Sequence, residues 1–235
     1  MIRYAIGTIL LFAACLAPIS VVPVSAALVD LTWSGTTLFG ANDGLGLFGP
    51  AGPLDAGTQY IARFRFDTTI GFVANGTNGS EEVVGGTFFN PATSIPLYSA
   101  DITINGISVS ANGDYYSQFF RQTGQGASQI SALAQREPTA PIGGELFQRV
   151  FRTGNFYSLP LALPGEFDFD ANDNPGGQFL YFNRDAQGNI DGPTTQIGLT
   201  PAHLSITLVV PEPASAMILL CGSTGGLLLG ARRIR

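Results

Sequence analysis

Large apolar residues recur at every second position in several short segments of this chain, and turn residues separate those segments. In residues 60–67 (YIARFRFD) the aromatic rings alternate with charged side chains. Residues 101–109 (DITINGISV) repeat the alternation around Asn105-Gly106, a dipeptide typical of tight hairpin turns. A period of two predicts strands that bury one face and expose the other. We therefore predict an all-β fold, with a single antiparallel β-sandwich of jelly-roll-like type over residues 27–209.

The rest of this segment is interpreted from the same signals. Its C-terminal part predicts two more strands and the turn between them: a strand in 177–182, a polar turn at 183–189 and a last strand at 203–210. One short helix is predicted at 127–136 (ASQISALAQR), which ends before Pro138. The glycine-rich stretches 40–57 and 74–87 are interpreted as long loops.

Charge limits what this segment can bind. Residues 27–210 hold seven Arg and no Lys against sixteen Asp and Glu, which gives a net charge of −9. Binding to nucleic acid requires a basic surface, so we exclude nucleic acid as a partner. The chain is 45% hydrophobic, and a segment of this length can bury a substantial core as one domain.

Residues 1–26 have the parts of a secretory signal peptide in the expected order. Arg3 supplies the positive start, and residues 4–16 form an apolar run. Small residues then precede a predicted cleavage between Ala26 and Ala27. The pattern predicts that the segment after the cleavage site is exported.

The last 26 residues also have three parts. They open with the motif Val210, Pro211, Glu212 and Pro213. Residues 214–231 are apolar, and as a transmembrane helix they are just long enough to cross the hydrocarbon core. The chain closes with the basic residues Arg232, Arg233 and Arg235. The positive-inside rule keeps this tail cytoplasmic, so residues 27–209 form an ectodomain outside the inner membrane.

This order of motif, apolar run and basic tail in residues 210–235 resembles the PEP-CTERM protein-sorting signal. The resemblance implies that an exosortase, a membrane-embedded cysteine transpeptidase, recognises the Pro-Glu-Pro motif. Cleavage then releases the ectodomain or passes it to a surface acceptor. Proteins with this signal occur in Gram-negative bacteria that make exopolysaccharide and biofilm. Residues 222–226 depart from the pattern, because they make the centre of the apolar run more polar.

Few residues are available for catalysis. The two cysteines, Cys15 and Cys221, lie in the terminal segments, so the predicted ectodomain has no thiol nucleophile. His203 is the only histidine, and we interpret it as a structural residue at a strand edge. Paired carboxylates, with Glu145, Glu166 and the nearby Asp residues as candidates, could serve a glycoside hydrolase. We predict a non-enzymatic protein and keep the carboxylate-based hydrolase as an alternative.

Residues 168–174 (DFDANDN) form an acidic loop. Its oxygen-bearing side chains have the every-second-residue spacing of loops that bind Ca²⁺: Asp168, Asp170, Asn172 and Asn174. However, Asp173 stands where an EF-hand has Gly, and Phe179 stands where it has the closing Glu. We therefore predict a plain turn and no cofactor, with a weak calcium site as the alternative.

Adjacent aromatic residues stand at 88–89, 115–116 and 119–120. Neighbouring residues of a strand point to opposite faces, so one ring of each pair can be buried and the other exposed. Exposed rings can stack on sugars, although core packing is the default for an aromatic residue. We predict a structural or adhesive protein of the cell surface or exopolysaccharide matrix, with a carbohydrate-binding module for extracellular polysaccharide as the alternative.

Overall fold

The computed structural model describes residues 28–75, 80–124, 127–136, 141–153 and 164–209. Within those ranges all strand pairs are antiparallel and the one helical element is a 3-10 turn at Ala171–Asp173, which confirms the all-β prediction. The strands are β1 (Leu28–Thr37), β2 (Asn42–Asp43), β3 (Gly52–Pro53), β4 (Gln59–Asp67), β5 (Phe72–Asn75), β6 (Ser80–Gly85), β7 (Leu97–Ile104), β8 (Ile107–Ser110), β9 (Tyr116–Gly124), β10 (Ala127–Gln135), β11 (Ile142–Thr153), β12 (Gly165–Asp168), β13 (Gly176–Arg184) and β14 (Ile190–Val209).

The strands with clear alternation are confirmed. In β4 every second side chain, from Tyr60 to Phe66, is buried, and the residues between them face outward. β7 and β8 form the predicted hairpin, and its turn residues Asn105 and Gly106 have φ values of 52° and 77°. Positive φ at both positions is what the tight hairpin turn requires. The turn predicted at 183–189 connects β13 to β14.

Three other predictions are wrong in part or entirely. Residues 127–136 are not a helix, because β10 pairs with β9 on one edge and β11 on the other and buries Ile130, Ala132 and Ala134 in alternation. Burial between two strands outweighs the helix propensity of this alanine-rich segment. The stretches interpreted as loops contain β2, β3 and β6. The last strand begins at Ile190 rather than His203.

All fourteen strands belong to one sheet, in which the main order is β5-β6-β9-β10-β11-β13-β14-β1-β4-β7-β8. β14 is central, because β1 and β2 pair along one of its edges and β12 and β13 pair along the other. A bulge where β1 meets β14 requires glycine at position 35, since a Cβ atom there would lie 2.0 Å from the Thr200 carbonyl oxygen.

Strands that are far apart in the sheet order share one core. The rings of Phe66 in β4 and Phe119 in β9 have centroids 5.7 Å apart, although these strands are far apart in the sheet order. The Tyr60 hydroxyl in β4 donates a 2.9 Å hydrogen bond to Oε1 of Gln148 in β11. Trp33 and Phe179 lie fully buried in the same core. Side chains of β4 therefore contact side chains of β9 and β11, although the sheet order separates these strands.

Both terminal predictions lie outside the described residues. This applies to the signal peptide 1–26, its cleavage site, the motif 210–213, the apolar run 214–231 and the basic tail 232–235. Among the residues that the structure does describe, no helix has the length and hydropathy needed to cross a membrane.

Candidate functional site

One outer surface of the sheet combines aromatic rings with amide side chains. In β9, β10, β11 and β13 the residues between the buried ones point away from the core, and direct cross-strand partners share a face. We call this surface, together with Phe88 and Phe89, the aromatic–amide face. Its strand residues are Tyr116, Gln118, Phe120, Leu133, Gln135, Glu145, Phe147, Gln178 and Leu180.

Four aromatic rings cluster at one end of this face. Phe88 is 57% exposed, and its ring centroid lies 5.5 Å from that of Phe89, 5.6 Å from Tyr115 and 5.4 Å from Tyr116. The Phe88 amide donates a 2.8 Å hydrogen bond to the Tyr115 carbonyl, which fixes the turn against the start of β9. The edge-to-face ring contacts leave Phe88 as a rigid, exposed apolar platform.

Amides and carboxylates continue the face across the strands. Tyr116 pairs with Gln135, and Gln135 pairs with Glu145, so the three side chains form a row perpendicular to the strands. The Gln178 amide donates to Glu145, and the Gln118 amide donates to the carboxylate of Glu82 in β6. These contacts orient planar polar groups beside the rings.

At the far end of the row the surface has a cleft. Its lining residues are Gln135, Arg136, Gly144, Glu145, Leu180, Phe182 and Arg184. The Arg184 guanidinium lies 4.7 Å from the Phe182 ring centroid and donates a 2.6 Å bond from Nη1 to the Gly188 carbonyl. Arg136 instead lies over the Tyr181 ring and donates from Nη2 to the Ser110 carbonyl. The cleft is therefore lined by a carboxylate, an amide and an ordered guanidinium group.

The outer face of the other half of the sheet carries paired charges. Arg65 in β4 makes two 2.5 Å hydrogen bonds to the Asp30 carboxylate in β1. Arg63 lies 3.8 Å from Asp101 in β7, and burial raises the pKa of that carboxyl group. These four charged side chains are therefore paired with one another across the strands of this face.

His203 sits within β14 rather than at its start, and it connects that strand to β12. Its Nδ1 lies 2.7 Å from Asp168 Oδ1, and its Nε2 lies 2.8 Å from Glu166 Oε2. Asp168 and Glu166 raise the pKa of His203, because both ring nitrogens face carboxylates. The Ser205 hydroxyl donates to Glu166 rather than to the imidazole, so Ser205 and His203 do not form a nucleophile–base pair. The arrangement supports the predicted structural role.

The two carboxylates considered for hydrolysis do not face each other. Glu145 is the cross-strand partner of Leu180, which is in turn the partner of Gln196 in β14. Glu166 is the cross-strand partner of Ser205, which lies farther along β14. Nine residues along a strand separate those positions by roughly 30 Å, about three times the greatest spacing of a glycosidase pair. The hydrogen bonds from Ser205 and His203 also lower the pKa of Glu166, which is the opposite of what a general acid needs.

Two of the four side chains considered for a calcium site, Asp168 and Asp170, make contacts within the protein. Asp168 faces His203 from β12, and Asp170 caps the 3-10 turn by accepting from the Asn172 amide. Asp173 is buried and accepts from the Asp170 amide, and Asn174 adopts a left-handed backbone that ends the turn. Nowhere among the described residues do three His, Cys, Asp or Glu side chains converge as metal ligands would.

Sequence reasoning missed a buried carboxylate. Asp43 Oδ1 accepts from the Leu47 amide and the Thr195 hydroxyl at 2.8 Å, and Oδ2 accepts from the Phe48 amide at 2.7 Å. These bonds hold the loop after β2 against β14, and the Asp-Gly turn signal at 43–44 could have indicated this loop.

Comparison of the chain with protein-family models, curated proteins and solved structures gives no match.

Proposed function

We propose that this chain is an exported protein that an exosortase sorts at its C-terminus and that then joins the cell surface or exopolysaccharide matrix. The signal-peptide pattern in residues 1–26 and the three-part segment 210–235 support this proposal. Before processing, the helix 214–231 anchors the protein in the inner membrane and the basic tail stays cytoplasmic.

We further propose an adhesive role in which the ectodomain binds extracellular polysaccharide through the aromatic–amide face. The observation that carries this proposal is the exposed Phe88 platform at the end of a row of amide side chains. Sugars present apolar C–H faces that suit an aromatic ring and hydroxyl groups that suit amides, which both donate and accept. We therefore favour adhesion through carbohydrate binding over a purely structural role.

The finer fold that goes with this function is a β-sandwich of jelly-roll-like type. The packing of β4 against β9 and β11 supports it, because the inner faces of two separate parts of the sheet meet there. The aromatic–amide face is then the outer surface of one layer.

Sorting is tested by replacing Pro211, Glu212 and Pro213 with Ala in cells of the source bacterium. We expect the variant to stay in the membrane fraction at its unprocessed size, whereas the natural chain is released. A control that replaces Glu137 and Pro138 with Ala changes the same residue types elsewhere. Unchanged release of the triple variant overturns the exosortase proposal.

Adhesion is tested by a glycan array probed with the full chain in a non-ionic detergent that has no sugar head group. Phe88→Ala should weaken binding to the best ligand at least about tenfold, because each 1.4 kcal/mol lost raises the Kd tenfold. Phe39→Ala is the matched control, since Phe39 is 96% exposed at the turn after β1. Equal loss in both variants, or none in Phe88→Ala, contradicts the proposal.

A further inference from the structure

The cleft at the other end of the row from the aromatic cluster offers complementary hydrogen-bonding groups. The Glu145 carboxylate has two oxygen atoms, and the Gln178 amide donates to one of them, Oε1. The Arg184 guanidinium carries five N–H donors, of which one from Nη1 is given to the Gly188 carbonyl. The cleft thus holds an acceptor group and a donor group that one ligand can engage together.

Arg184 is fixed before any ligand arrives. Its guanidinium stacks on Phe182, and the ring of Phe182 covers Gly143 so closely that a Cβ atom there would lie 2.3 Å from it. The Arg184 Nε is buried and has no hydrogen-bond partner in the described part of the chain. A side chain that is already ordered loses little conformational entropy on binding, so its hydrogen bonds contribute more fully to affinity.

The position of the cleft relates it to the aromatic cluster. Tyr116, Gln135 and Glu145 are successive cross-strand partners, so Tyr116 and Glu145 are two strand spacings apart, about 10 Å. That distance exceeds one pyranose ring. A polysaccharide that runs across the strands therefore reaches the rings and the cleft with different sugar units.

We propose that this cleft is a subsite for a vicinal diol of an uncharged sugar unit, an inference that rests on the proposed polysaccharide binding. One hydroxyl donates to the Glu145 carboxylate, and its neighbour accepts from the Arg184 guanidinium. Adjacent hydroxyls supply one donor and one acceptor at once, which matches the accepting Glu145 carboxylate and the donating Arg184 guanidinium. A sugar carboxylate fits less well, because Glu145 repels it where Arg184 attracts it.

The ligand arm of the test compares a polysaccharide selected on the array with the same polymer after periodate cleavage of its vicinal diols and borohydride reduction. The full chain is used in the same sugar-free detergent, and binding is measured at equilibrium. We expect the natural chain to bind the cleaved polymer at least about tenfold more weakly. Equal affinity for the two polymers overturns the diol subsite.

The protein arm uses Glu145→Gln and Arg184→Gln. Each variant should bind the intact polymer about tenfold more weakly, because each loses a hydrogen bond to a charged group. The double variant should distinguish intact from cleaved polymer less strongly than the natural chain does, because only the sugar stacking on Phe88 is then left to sense the opened rings. Glu166→Gln, at an exposed position in β12, is the matched control and should bind as the natural chain does. Arg184→Lys replaces Arg184→Gln if the latter lowers the melting midpoint.

The remaining outcomes separate the subsite from the proposed function. Natural affinity in Glu145→Gln and Arg184→Gln, with loss in Phe88→Ala, overturns the cleft but leaves polysaccharide binding in place. Tighter binding of a uronate polymer than of its carboxyl-reduced form, lost in Arg184→Gln, makes the cleft an anion site and overturns the diol. Absence of binding to every polymer overturns the proposed adhesive role and the subsite with it.

Discussion

The hydrogen bond between Tyr60 and Gln148 joins two strands that are not neighbours in the sheet, and its removal tests how the sheet closes. Both side chains are buried, and burial raises the pKa of the Tyr60 hydroxyl well above its ordinary value. The hydroxyl therefore stays protonated and donates to Gln148 Oε1 over 2.9 Å. The Gln148 amide nitrogen has no hydrogen-bond partner among the described residues.

Tyr60→Phe leaves the shape of the core almost unchanged but removes the donor to Gln148. A buried acceptor left without a donor costs about 1–3 kcal/mol of the free energy of unfolding. For a domain of this size, a loss of about 2 kcal/mol lowers the melting midpoint by roughly 4–8 °C. Gln148→Met removes the acceptor, but it also removes the unpartnered amide nitrogen, so its cost should be smaller.

The double variant Tyr60→Phe with Gln148→Met should recover most of the stability, because replacing both partners by apolar groups of similar shape is nearly neutral. Urea unfolding followed by the fluorescence of Trp33, the only tryptophan, measures all four proteins. Tyr98→Phe is the control, since Tyr98 is 70% exposed. Strictly additive effects in the cycle would refute the contact between β4 and β11.

Three other outcomes are expected. Gly35→Ala should destabilise the protein by about 1–3 kcal/mol in urea unfolding, because the new Cβ meets the Thr200 carbonyl, whereas Gly176→Ala has open space around it and should not. His203 has a raised pKa in the fold, so its contribution is complete below the ordinary value of about 6.5 and is lost as pH rises through the folded value. The difference in melting midpoint between the natural chain and His203→Gln should therefore shrink from pH 6 to pH 9, and a constant difference contradicts this. Millimolar Ca²⁺ should leave the melting midpoint the same as in chelator, because Asp170 already caps the 3-10 turn. A midpoint that Ca²⁺ raises in the natural chain but not in Asp170→Ala would instead support the calcium site.

The success of the sequence prediction depended on how each strand is buried. In β4 the charged residues Arg63 and Arg65 face outward between buried aromatic residues, so the period of two is visible in the sequence. In β10 the pattern is hidden, because Ser131 on the outer side is also buried and small residues occupy both faces. Only pairing with β9 and β11 determines that this segment is a strand.

The candidate site was beyond sequence reasoning for a different reason. Glu145 and Gln178 are 33 residues apart, and each looks like an ordinary polar residue in its own segment. They become neighbours only through the register of β11 with β13. The aromatic pairs at 88–89 and 115–116 are visible in the sequence. That their rings form one cluster is not, because the turn that carries Phe88 has no strand pattern.

The two outer faces differ in what a ligand must displace. On the face of β1 and β4, Asp30 and Arg65 neutralise each other's charge and satisfy much of each other's hydrogen-bonding capacity. On the aromatic–amide face, Gln118 and Gln178 each donate one bond to a glutamate, and an amide can form several more. A hydroxyl-rich ligand therefore adds hydrogen bonds there without breaking existing ones. Because binding free energy is the surplus over such costs, the same sheet favours polysaccharide on one outer surface and stability on the other.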